Sequence, residues 1–171
     1  FSVDLKGVLR FIANKREERE ELDGGTAEVS VVHIVACAVA RALKNEESLR
    51  QRRVQFPSLL IDECVQPKSD SVDVSISENA GGLVTLKGVD KRGVQSIADE
   101  LADLHYSTDE TRELGQCLVL ATSDYEQTDM ELDVAPAHPD VSVVAVVGGV
   151  RLARNTRNSR AGVPRPMLSV S

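Results

Sequence analysis

Residues 29–43 constrain this chain more than any other stretch. Val31, Val32, Ile34, Val35, Cys37, Ala38, Val39, Ala42 and Leu43 leave almost no face of a helix polar. A helix apolar nearly all round has to be buried. The β-branched start also admits a strand, but the length and the Ala-rich second half favour a helix. A buried helix needs layers around it, and the strand signals further along supply them.

The chain has 171 residues, 42% of them hydrophobic. That suits one domain with a sizeable core, and we read 1–171 as a single core domain, incomplete at its C-terminus. It opens at Phe1 without Met, so the native N-terminus is expected upstream. Aromatics make up 3%, with no Trp, so the core has to be aliphatic. Few aromatics and a net charge of −7 argue against a nucleic-acid binder, which needs a basic surface or stacking rings. Neither Val29–Leu43 nor Val141–Val150 is long and apolar enough to span a bilayer, and no signal or transit peptide is visible. Cys37, Cys64 and Cys117 lie far apart in apolar segments without metal spacing. They read as buried free thiols in a reducing compartment.

Charge is unevenly placed. Residues 1–150 hold 15 cations against all 27 acids, a net of −12, while residues 151–171 hold five Arg and no acid. Arg151, Arg154, Arg157, Arg160 and Arg165 stand among Asn, Ser, Gly and Pro. This reads as a solvated loop or hairpin tip. The alternative is an arm that docks on an acidic surface.

Ser2–Leu5 reads as a short strand. Lys6–Leu22 reads as a helix with an apolar stripe of Val8, Leu9, Phe11 and Ile12, stopped at Asp23-Gly24-Gly25. Glu46–Arg53 reads as a short polar helix, and a β-rich half starts at Pro57. Ser58–Val65 is a strand candidate. Ser71–Ser77 alternates as a half-buried strand should, and Leu83–Val89 returns as its hairpin partner. Gly93–His105 is an amphipathic helix on Val94, Ile97, Ala98, Leu101 and Leu104. Gln116–Ala121, Met130–Val134, Val141–Val150 and Met167–Val170 follow as strands. Cys117–Ala121 and Val141–Val147 are apolar enough for burial on both faces. The sum is an α+β fold with a mixed sheet covered by helices on one side.

No phosphate loop and no GxSxG elbow occurs. His33, His105 and His138 have no Cys or carboxylate at metal-ligand spacing, so no metal is expected. His33 reads as a core-edge histidine with a satisfied hydrogen bond, and His138 as an exposed turn residue. These residues alone indicate no reaction.

Three stretches taken in order resemble the catalytic core domain of the dihydrolipoyl acyltransferases, the core component of 2-oxoacid dehydrogenase complexes. Val29–Lys44 is similar to that family's buried Ala-rich helix. Val72–Val84 followed by Lys91–Ala98 looks like its strand, loop, Gly-Leu-Val strand and Lys/Ser-rich helix start. Asp140–Gly149 followed by Arg165–Ser171 looks like its late strand pair, and Phe1–Leu5 like its first core strand. The resemblance spans nearly the whole chain. It implies a chloramphenicol-acetyltransferase-like two-layer α+β sandwich, a mixed sheet with helices on one face. It also implies coenzyme A and a lipoyl group as substrates, and active sites lying between subunits of a homotrimer or mixed trimer. The other components of the dehydrogenase complex would be partners, and the mitochondrial matrix or the bacterial cytoplasm the location, with a plastid as a further option.

The departures bear on chemistry. The family's His-x-x-x-Asp-Gly motif occurs nowhere in the 171 residues. Thr85-Leu86 stand where the family has a Pro soon after Gly-Leu-Val. The family's oxyanion-steadying hydroxyl falls in the segment matching Leu120–Ser123, where Ala121 removes one candidate and Thr122 could substitute. Acyl transfer from a dihydrolipoyl thiol needs a base to make the thiolate and donors aimed at the oxyanion. Loss of the base alone costs about 10²–10⁴-fold. The reading is therefore a structural or scaffolding acyltransferase-like subunit. The alternatives are an active acyltransferase whose catalytic segment lies beyond Ser171, and a chloramphenicol-acetyltransferase-like enzyme, against which the same missing His counts.

Overall fold

A computed structural model describes residues 2–21, 25–50, 52–56, 61–65, 70–77, 83–104, 114–121, 141–153 and 165–170. Among the described residues, eight strands and three helices run in the order β1 (Ser2–Asp4), α1 (Lys6–Glu21), α2 (Val31–Asn45), β2 (Arg52–Phe56), β3 (Ile61–Val65), β4 (Val74–Ser77), β5 (Leu83–Leu86), α3 (Val94–Leu104), β6 (Cys117–Ala121), β7 (Val143–Ala153) and β8 (Arg165–Val170). Two 3₁₀ turns, Glu47–Arg50 and Val89–Lys91, precede β2 and α3.

Six strands form one mixed sheet in the order β1-β8-β7-β6-β4-β5, and β2 pairs with β3 apart from it. β4, β6 and β7 are parallel neighbours, while β5, β8 and β1 join antiparallel. In register, Cys117 stands between Val74 and Val143, and Val119 between Ile76 and Ala145. These residues share a face because side chains alternate along a strand. Val74, Ile76, Val84, Leu86, Cys117, Val119, Ala145 and Val147 on it form one buried cluster with Ala36, Cys37, Ala40 and Leu43 of α2 and Ile97 and Leu101 of α3. The fold is α+β, a mixed sheet with helices over this face, as the sequence predicts. Each aliphatic side chain buried there contributes about 1.5–3 kcal/mol.

Local chemistry fixes the helices on the sheet. Ser30, in extended backbone, caps α2, and its N–H donates to His33 Nδ1 at 3.0 Å. The approach to α2 is stitched to α3: Ala27 N–H donates to Asp99 Oδ1 at 2.8 Å, and Gln95 Nε2 donates to Ala27 O at 2.8 Å. At the other end of α2, Lys44 Nζ donates to Asp90 Oδ2 at 2.8 Å. The backbone N–H of Val72 donates to Asp90 Oδ1, also at 2.8 Å. Asp90 thus joins α2, the approach to β4 and the turn before α3. Its side chain is fully buried. Burial opposes its ionisation, but the bonds from Lys44 and Val72 and the Lys44 charge outweigh that and hold the carboxyl below its usual value of 3.8.

The hairpin of β4 and β5 pairs as expected, Val74 with Leu86 and Ile76 with Val84. Ser2–Asp4, Val94–Leu104, Cys117–Ala121 and the late pair β7–β8 also form where the pattern puts them. Several expectations need correction. α2 is sealed on one face, and Ala38 and Ala42 are exposed. α1 has no buried residue, and its predicted stripe leaves Leu9 37% and Phe11 40% exposed. The helix expected over Glu46–Arg53 is a 3₁₀ turn followed by a strand. Val54 and Phe56 alternate with Arg53 and Gln55, and pairing with Glu63 and Ile61 captures them. The β-rich half therefore begins at Arg52, not Pro57. β4 is not half-buried: Ser75 on its other face is sealed too. There the Gly115 N–H donates to Ser75 Oγ at 2.8 Å, and Ser75 Oγ lies 2.7 Å from Thr85 Oγ1. β6 and the start of β7, expected to be buried on both faces, are sealed on the helix side and half-buried on the other. The Asp23-Gly24 stop, Ser58–Leu60, the 79–82 turn, the Met130–Val134 strand and His105 lie outside the described residues.

Among the glycines compared, Gly115 makes the closest approach to its neighbours. A Cβ there would stand 2.6 Å from Asp73 O and 2.9 Å from Val74 N, both backbone. Gly115→Ala is expected to cost about 1–3 kcal/mol through backbone displacement. Gly7→Ala, in a helix with nothing within 4 Å, is expected to add up to about 1 kcal/mol. Urea unfolding of both variants checks this pair of opposite signs.

The Asp90 network predicts an acid signature. A carboxyl lowered in the fold contributes stability above its unfolded value, and that contribution fades as pH falls through the lower folded value. Asp90→Asn is expected to lose about 1–3 kcal/mol at neutral pH. Its unfolding midpoint should converge on that of the parent chain as pH drops below 3.8. A gap that stays constant down to pH 2.5 would contradict the assignment.

Candidate functional site

The candidate site is the carboxyl end of the parallel strands. Ser77, Leu120 and Val146 stand in register there, and Ala121 pairs with Val147 one step further. Alternation puts Ala121 on the same side as Cys117 and Val119. It is half-buried and carries a methyl, so it has no proton to donate to an oxyanion. Thr122, the sequence candidate for that role, lies outside the described residues, as do His138 and Arg154, Arg157 and Arg160. Arg151 and Arg165, the ends of the arginine run, lie on paired antiparallel strands, with Ala153 opposite Arg165. The run is therefore anchored on a hairpin, not on a helix.

The side chains able to do acid–base or nucleophilic chemistry elsewhere are committed to the fold. His33 is buried on the sheet side of α2. Its Nδ1 accepts the Ser30 N–H, so this nitrogen carries no proton in the neutral ring. Ser30 Oγ lies 3.2 Å from the same nitrogen. That contact is a helix cap, not a nucleophile–base pair, because the acceptor lone pair is already taken by the backbone. Burial raises the Cys37 thiol, although Arg41 and Arg92 pull it down. Burial alone pushes Cys117 up to about 12. Neither is a thiolate near neutral pH, and the thiolate is the reactive form. The third cysteine, Cys64, lies on β3 opposite Arg53. Among the described residues no group of His, Cys, Asp and Glu could hold a metal ion.

The other face of the sheet has a different character. Leu118 pairs with Val144 and Leu120 with Val146, so four aliphatic side chains share the face turned away from the helices. All four are half-buried. At the β4 end of this face the Gly115–Ser75–Thr85 chain closes the surface with satisfied hydrogen bonds. The sequence pattern marks these strands as doubly apolar, and the second face is the reason. The Lys44–Asp90 pair and the Ser75–Thr85–Gly115 chain went unpredicted, since their members are 46 and up to 40 residues apart.

No family model and no curated protein sequence matches the chain. Solved structures do. The dihydrolipoamide acetyltransferase of Azotobacter vinelandii superposes with a TM-score of 0.71 at 18% identity, over 99% of this chain and 68% of that one. A serine, a histidine and an asparagine of that protein have been investigated for their roles in its catalytic mechanism. A probable dihydrolipoamide acetyltransferase from Listeria monocytogenes gives 0.71 at 16% identity, over 99% of this chain and 70% of that one. A truncated catalytic core of the 2-oxoacid dehydrogenase multienzyme complex from Thermoplasma acidophilum gives 0.63 at 16%, over 99% and 73%. At these identities the likeness establishes the fold: this chain has the fold of the acyltransferase cores of 2-oxoacid dehydrogenase complexes.

The burial of the thiols predicts their reactivity. In a Cys64→Ser background, neither Cys37 nor Cys117 should react with a thiol-specific chromogenic disulfide at pH 8 in native buffer. Both should react at once in denaturant. Fast labelling of the native protein would place one of them outside the core. His33→Ala should remove the cap and lower the urea midpoint by the equivalent of about 0.5–2 kcal/mol, with the fold retained by circular dichroism.

Proposed function

We propose that this chain is an acyltransferase-type core subunit of a 2-oxoacid dehydrogenase multienzyme complex, and that its role there is structural. The observation that carries the structural role is Ala121. The end of β6, where the resemblance places an oxyanion-steadying hydroxyl, presents a methyl instead. The described imidazole, His33, is spent on a helix cap. Neither Ala121 nor the capping Nδ1 of His33 therefore supplies an oxyanion donor or a base. The fold itself is kept over 99% of the chain.

In this reading the subunit assembles as a homotrimer or a mixed trimer with acyltransferase cores. The aliphatic face of Leu118, Leu120, Val144 and Val146 supports it, since half-buried apolar strands facing away from their own helices gain most by meeting another protomer. One solved structure of this fold is the cubic core of the pyruvate dehydrogenase multienzyme complex. The location proposed with it is a reducing compartment, the mitochondrial matrix, a plastid or the bacterial cytoplasm, in line with two buried free thiols.

A second reading is an active enzyme that moves an acyl group between a dihydrolipoyl group and coenzyme A. The match to catalytic cores favours it, since 27–32% of those chains lies outside the match. There the base would come from residues outside the 171, and Thr122 would be the hydroxyl beside the oxyanion.

One preparation separates the two. The full-length gene product, expressed and purified free of other acyltransferase subunits, is assayed for acetyl transfer from acetyl-coenzyme A to dihydrolipoamide. The structural reading expects no turnover above the buffer rate. Turnover above that rate which falls about 10²-fold or more in Thr122→Ala would establish the enzymatic reading instead.

The assembly is tested by sedimentation velocity at low and high salt, at micromolar protein. A trimer at both salts is expected if the aliphatic face is the contact, because apolar burial is insensitive to screening. Leu118→Glu with Val144→Glu should then give a folded monomer. Dissociation of the parent chain by salt alone would move the contact to Arg151–Arg165, since screening acts over about 10 Å at 0.1 M. A monomer at both salts rules the trimer out.

A further inference from the structure

We draw no further inference here: the strongest candidate, the half-buried aliphatic sheet face of Leu118, Leu120, Val144 and Val146 opposite the helices, already carries the assembly proposed above, and nothing in the described structure shows a second occupant for it.

Discussion

The carboxylate of Asp90 is the joint on which the described structure hangs. It has no solvent of its own, and it holds three separate pieces of chain: Lys44 at the end of α2, the backbone of Val72 before β4, and its own 3₁₀ turn before α3. Val89 N–H donates to Val72 O at 2.9 Å and closes the same junction from the other side. A second carboxylate repeats the device next door, where Asp73 Oδ1 accepts the Gly88 N–H at 2.8 Å. Gly88 sits at φ 61°, a left-handed conformation that a side chain would oppose. Backbone groups that leave a sheet to enter a turn lose their ladder partners. The buried carboxylate of Asp90 and the half-buried one of Asp73 restore them, and the β4–β5 hairpin with its following turn is thereby locked under α2.

That junction explains which parts of the fold can be read from the sequence. The elements defined by periodicity are legible. α3 shows its stripe, β4 and β5 show alternation, and α2 is marked by density of apolar residues. Periodicity reports one face at a time. It therefore sees that Ser75 alternates outward, and does not see that Gly115 lies across it and seals it. It sees Leu118, Val144 and Val146 as apolar, and cannot separate a face sealed under helices from one left half-buried. The β2 strand was missed for a related reason. Arg52, Arg53 and Gln55 give it a polar composition, and only pairing with Ile61–Val65 makes Val54 and Phe56 a strand. The local patterns already sum to an α+β fold with a mixed sheet, and the three-segment resemblance adds the order of the segments to it.

The site was less legible than the fold, and the reason is chemical. A fold is over-determined by some twenty buried side chains, whereas a site is decided by two or three groups that no period announces. Ala121 is as good a strand residue as a serine at that position, so strand formation places no demand on a hydroxyl there. His33 is the reverse case. Its ring nitrogens suit it for catalysis, but its place in the first turn of α2 gives it a backbone donor to accept, and burial turns it toward the core. The residue type invites a functional reading that its neighbours withdraw.

Core and site therefore answer to different constraints in this chain. The helix-side face of the sheet depends on Val74, Ile76, Val119, Ala145 and the small residues of α2, and none of these supplies chemistry. The groups that acyl transfer needs stand at strand ends, where a methyl for a hydroxyl leaves the core unchanged. Selection for assembly and selection for catalysis can then act separately. On the outer face Leu118, Leu120, Val144 and Val146 are only half-buried, so an exchange there disturbs less apolar packing. Ser75 and Ser77 stand in register with Leu118 and Leu120 on that same face, so its aliphatic part is bordered by hydroxyls. The helix-side face has no such border: Val74, Ile76, Cys117, Val119, Ala145 and Val147 run apolar across three strands, so a polar exchange costs more there than on the outer face.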